Sequence, residues 1–93
     1  MSTRALRLVI TGRVQGVGYR AWMMDRAAAL GLRGWVRNRS DRSVEALAIG
    51  DEVQLAALLA AAREGPRAAR VTGVATSDAE DDGTTGFSAK PTA

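Results

Sequence analysis

Leu6-Arg7-Leu8-Val9-Ile10-Thr11-Gly12-Arg13-Val14-Gln15-Gly16-Val17-Gly18-Tyr19-Arg20 is the stretch whose reading decides the fold. Leu6, Leu8 and Ile10 alternate with Arg7 and Val9, which predicts a first strand over Leu6–Ile10 with one buried face. Thr11–Arg20 then reads as a loop. Its three glycines in seven residues let the backbone turn with amide N–H groups pointing the same way. Tyr19, Trp22, Met23, Ala27 and Leu30 recur at helical spacing, so an amphipathic helix is predicted over Ala21–Leu30, stopped by Gly31. Strand, glycine loop, helix N-terminus and the arginine between them describe a pocket for a phosphate-sized anion.

Outward from that unit, Leu32–Arg39 predicts a second strand and Val44–Ile49 a third, joined as a hairpin by Ser40-Asp41-Arg42-Ser43. Asn38 shares parity with Gly34 and Val36, so it points to the helix-covered side at a strand end. Leu47 and Ile49 fall on the open sheet face, an apolar patch that self-association would cover, although isolated exposed aliphatics are ordinary. Gly50-Asp51 opens a second helix with a stripe of Leu55, Leu58, Leu59 and Ala62, ended by Gly65-Pro66. Ala69–Ala75 predicts a fourth strand of imperfect parity, with Val71 and Val74 inward and Gly73 suggesting a bulge. Ser77–Thr85 reads as an acidic loop, and Gly86–Lys90 as a short last strand carrying Phe87. The order β-α-β-β-α-β predicts one α+β domain over residues 1–93. It is a ferredoxin-like sandwich with a mostly antiparallel sheet and two helices on one face.

The chain holds no cysteine and no histidine, which excludes disulfides, thiolate nucleophiles, imidazole acid–base chemistry and the usual zinc sites. Chemistry is left to Arg, Asp/Glu, Asn/Gln, Ser/Thr, one Tyr and the backbone. Residues 1–50 carry nine arginines against three acids, and residues 51–93 four basic groups against seven acids. The glycine loop lies in the positive half, which draws an anionic ligand there, while most of these arginines read as a solvated surface. No signal peptide and no membrane span is evident, and a monomeric cytoplasmic protein is expected.

Three other motifs fail on context. Gly16-Val17-Gly18-Tyr19-Arg20-Ala21 matches G-x-G-x-x-A with Asp41 about twenty residues on. The next strand, however, runs straight into a hairpin, and the chain is too short for a doubly wound sheet. Asp78, Glu80, Asp82 and Gly83 match half of a calcium loop whose twelfth position is Ala89, and no helices flank it. The strands Leu6–Ile10 and Val44–Ile49 lack the aromatics of an RNA-binding sheet, so no nucleic-acid partner is expected. Asn38 alone has two readings, a turn-forming residue beside Ser40-Asp41 or an amide that holds a water near a phosphoryl group.

Gly12-Arg13-Val14-Gln15-Gly16-Val17-Gly18-Tyr19-Arg20 followed by Gly34-Trp35-Val36-Arg37-Asn38 resembles the signature pair of the acylphosphatases. The resemblance extends through Leu30-Gly31-Leu32, Val44-Glu45, Gly65-Pro66 and Phe87. It implies a ferredoxin-like fold and hydrolysis of acyl phosphates to carboxylate and inorganic phosphate, without metal, cofactor or covalent intermediate. In that reading Arg20 and the amides of Gln15, Gly16, Val17, Gly18 and Tyr19 hold the phosphoryl group, and Asn38 orients the water. The alternative is a phosphate-binding or regulatory module without useful turnover, related to domains that handle carbamoyl phosphate. One departure stands out: Asp41-Arg42 occupies the hairpin turn where the family typically carries Asp-Gly. A left-handed residue there would cost about 1 kcal/mol.

Overall fold

The alternation beginning at Leu6 extends in both directions in the computed structural model, which describes residues 3–93. Strand β1 runs Arg4–Arg13, so Thr11, Gly12 and Arg13 belong to the strand and the connecting loop shrinks to residues 14–18. Helix α1 follows at Tyr19–Ala29, two residues earlier than the apolar spacing predicts. Its buried face is Tyr19, Met23 and Ala27, with Trp22 and Leu30 half-buried beside them. Strands β2 (Arg33–Asn38) and β3 (Val44–Gly50) form the hairpin.

Helix α2 spans Glu52–Glu64 and buries Leu55, Leu58 and Ala62. Its start is a reciprocal cap: Asp51 Oδ1 accepts from Gln54 N at 2.7 Å, and Gln54 Oε1 accepts from Asp51 N at 2.9 Å. Strand β4 is Arg70–Ala79 and β5 is Phe87–Ala89. The fourth strand is thus longer than its composition suggests. Ser77, Asp78 and Ala79 pair with Arg7, Leu6 and Ala5, because an edge strand needs backbone partners on one side only. Its uneven parity has a cause. The register shifts between Thr11 and Gly12, which face Gly73 and Val71, so Thr72 is an extra residue and both Val71 and Val74 turn toward the core.

The sheet order is β4-β1-β3-β2-β5, antiparallel except for the β2–β5 pair. Both helices lie on one face over Leu8, Ile10, Val36, Val44, Ala46 and Ala48. On the other face Leu47 and Ile49 cluster with Ala5, Trp35 and Ala79. They are only 6% and 1% exposed, so the expected apolar patch is not on the surface. Arg33 bonds Asp81 and the Thr84 carbonyl, and Trp35 Nε1 donates to Asp82 Oδ2 at 3.2 Å. These bonds hold the acidic segment beside that face, and the carboxylates of Asp81 and Asp82 are engaged by Arg33, Trp35 and Thr84.

Strands β1 and β2 are each antiparallel to β3, which lies between them, and therefore run in the same direction. Their C-terminal ends, Arg13 and Asn38, emerge at one end of the sheet, where α1 begins.

Candidate active site

The loop takes its shape from two left-handed residues, Gly16 at φ 72° and Gly18 at φ 79°. Open space surrounds the position a Cβ would occupy at either one, so conformation and not room demands glycine. Gly18 is also the N-cap of α1, and having no side chain it caps nothing. Among the described residues, the backbone N–H groups of Gln15 through Arg20 have no acceptor in the protein. They add their partial positive charge to the helix end.

A cavity of about 370 Å³ opens where this loop, α1 and the end of β2 meet. Gln15, Gly16, Gly18, Tyr19, Arg20 and Asn38 line it, so six of the seven residues expected at the site are brought together. Val17 is not on its wall and packs half-buried against the core instead. Arg20 is exposed and is the sole charged residue of the lining. It forms no hydrogen bond or ion pair among the described residues, which leaves its planar fork free for an anion. Asn38 is half-buried, and its side-chain amide makes no bond to any described residue. No described buried side-chain nitrogen or oxygen lacks a partner, so this amide reaches the cavity and can donate and accept there.

Two side chains brace the cavity from behind. Gln15 Nε2 donates to the carbonyl oxygens of Arg39 (2.8 Å) and Ser43 (2.9 Å), joining the loop to both sides of the hairpin turn. Tyr19 is buried and its hydroxyl donates to the Ala62 carbonyl at 2.8 Å, joining the first residue of α1 to the last turn of α2. Burial pushes the phenol's pKa up, so the hydroxyl stays a donor.

The hairpin turn is closed by Arg42 N to Arg39 O at 3.0 Å and by Asp41, which accepts from Ser43 N and Oγ. Those bonds, the side-chain one foremost, hold the Asp41 carboxyl below its usual pKa. Arg42 has φ 75°, the one non-glycine residue with positive φ among those described, so the turn keeps its left-handed position despite the arginine. Beyond the turn, Ala93 N donates to Asn38 O at 3.0 Å and Ser40 N to Ala93 O at 2.8 Å, so the tail pairs with the strand end that carries Asn38.

Sequence reasoning missed the apolar part of the lining, Val14, Ala21, Met24 and Ala89. For Met24 a signal exists, since it stands four residues after Arg20 on the same helix face. Ala89 had none, because its place depends on β5 pairing in parallel with β2, where it faces Val36.

The family model described as Acylphosphatase matches residues 6–89. An acylphosphatase of Rhodopseudomonas palustris (strain BisB5) is 51% identical over 82 residues, covering 88% of this chain and 83% of the relative. The crystal structure of acylphosphatase from Bacillus subtilis is 34% identical with a TM-score of 0.90, over 96% of this chain and 99% of that one. An acylphosphatase structure from Coxiella burnetii gives 30% and 0.91, over 95% and 93%.

Proposed function

The chain belongs to the acylphosphatase family, and from that premise we propose that it hydrolyses acyl phosphates in the cavity between Gly16, Arg20 and Asn38. The observation that carries the reading is the convergence on one cavity of unpartnered loop amides, a free arginine and a free asparagine amide. Arg20 and the amides of the loop grip the phosphoryl oxygens and stabilise the charge that spreads over them in a loose transition state. The Asn38 amide holds a water in line with the acyl oxygen. The water's oxygen bonds to phosphorus, the bond from phosphorus to the acyl oxygen breaks, and the carboxylate departs with that electron pair. The water's proton passes to a phosphoryl oxygen. A carboxylate is a good leaving group at neutral pH, so no general acid is required. The described residues of the cavity wall offer no carboxylate, imidazole or thiolate, which supports a metal-independent reaction.

Hydrolysis of acetyl and benzoyl phosphate by the unsubstituted protein and by Asn38→Ala tests this, with inorganic phosphate as competitive inhibitor. The expected result is turnover in the former. In the variant, kcat should fall far more than phosphate affinity. Phosphate binding without turnover in the unsubstituted protein would select the binding-module reading.

A further inference from the structure

We propose that Ala21, Met24 and Ala89 form a subsite for the acyl group that selects uncharged, apolar acyl phosphates over those carrying a second anionic group. The inference rests on the phosphoryl site proposed above and adds the other half of the substrate. The lining residues divide in chemistry: Gly16, Gly18, Arg20 and Asn38 present donors, whereas Ala21, Met24 and Ala89 present only methyl, methylene and thioether groups.

The geometry follows from two elements. On α1, Met24 is four residues after Arg20 and three after Ala21, so all three share a face, with Met24 one turn farther from the helix end. On the far side, β5 alternates. Ala89 faces the cavity, while the Lys90 ammonium turns away and sits 4.8 Å from the centre of the Trp35 ring on the opposite sheet face. Nearby charges on α1 also face elsewhere: Asp25 is exposed off the lining, and the Arg26 guanidinium lies 5.7 Å from the Trp22 ring. Among the described residues, no cation besides Arg20 lines the cavity, and Arg20 is committed to the phosphoryl oxygens. A carboxylate or second phosphate on the acyl chain would leave water for an apolar wall without a partner. A methyl, short alkyl or phenyl group would instead cover Met24, whose unbranched thioether adapts to differing shapes. The volume, about 370 Å³, sits at the small end for ligand sites. It suits a phosphoryl group with a compact acyl chain.

The test is a substrate series, acetyl, butyryl, benzoyl and succinyl phosphate, measured as kcat/KM for the unsubstituted protein, Met24→Ala and Met24→Lys. Inorganic phosphate inhibition is measured alongside. Benzoyl and butyryl phosphate should exceed succinyl phosphate by about tenfold or more in the unsubstituted protein. In Met24→Ala the advantage of benzoyl over acetyl phosphate should shrink severalfold, while the inhibition constant for phosphate moves by no more than about twofold. In Met24→Lys, which replaces the thioether by an unbranched chain one atom longer ending in a cation, the ratio of succinyl to butyryl phosphate should rise about tenfold. Equal kcat/KM for charged and uncharged acyl groups would overturn the subsite, as would unchanged ratios in both folded variants; in either case phosphate inhibition and turnover would still uphold the phosphoryl site. Absence of both turnover and phosphate inhibition would overturn the phosphoryl site and the subsite together.

Discussion

The side-chain amide of Gln15 donates to the backbone oxygen of Arg39 at 2.8 Å, so the glycine loop is tied to the residue that follows Asn38. A second bond from the same nitrogen reaches Ser43 across the turn. One amide thus sets the distance between the proposed phosphoryl cradle and the proposed water-holding group. Gln15→Ala should lower the urea midpoint by an amount equivalent to about 1–3 kcal/mol, and kcat for benzoyl phosphate should fall with it. Gln15→Glu, which sets a carboxylate against two carbonyl oxygens, should be worse on both counts.

Arg20 makes no side-chain bond to any described residue, so its replacement separates chemistry from stability. Arg20→Lys keeps the charge but loses the fork, and kcat/KM should drop by about 10²–10³-fold with an unchanged thermal midpoint. Inorganic phosphate should inhibit the variant more weakly. Near-normal turnover would remove Arg20 from the mechanism.

Tyr19 has the opposite character. Its hydroxyl satisfies a carbonyl in the last turn of α2, where no backbone donor is in register. Tyr19→Phe should cost about 1–2 kcal/mol in urea denaturation, since Ala62 O is left without its partner.

Arg42 occupies a left-handed position at φ 75°. Relief of that conformation in Arg42→Gly outweighs the added freedom of glycine in the unfolded chain by roughly 0.5–1 kcal/mol. The melting temperature should therefore rise by a few degrees. Since the turn already holds this conformation, kcat should stay within about twofold.

Glu45 is buried between two arginines on the face away from the helices, accepting from Arg7 Nε at 2.5 Å and Arg37 Nε at 2.7 Å. Burial works to raise its pKa, but the hydrogen bonds from Arg37 and Arg7 outweigh burial and hold it below the usual value. A carboxyl depressed on folding contributes fully above its unfolded pKa of about 4.3, and that contribution is lost as pH falls through the folded value. Urea midpoints should therefore decline below about pH 4.5. In Glu45→Gln the protein should be less stable at neutral pH and its decline in acid shallower, as other depressed carboxyls such as Asp41, Asp81 and Asp82 still titrate.

The parts legible in the sequence are those governed by local periodicity. Leu8, Ile10, Val36, Leu55 and Leu58 announce their faces by alternation or helical spacing, and all are buried where that spacing puts them. Gly16, Gly18, Arg20 and Asn38 were legible as a set because their order along the chain resembles a family signature. Features that depend on pairing between distant segments were not. Ser77–Ala79 carry no strand-like composition and are held by β1, and Leu47 and Ile49 are covered by a cluster drawn from four strands. Ala89 and the brace from Gln15 to Arg39 likewise exist only once β5 meets β2 and the loop meets the turn.

Strand β3 separates the two strand ends that carry the loop and Asn38. Neighbouring strands stand about 4.8 Å apart, so the span between β1 and β2 is two such steps, about 10 Å. That gauge is written in peptide hydrogen bonds, and substitutions within the cavity leave it untouched. Acyl preference can drift through residues such as Met24 while the gap between cradle and water stays constant. To change the gauge itself, the chain would have to unmake its sheet.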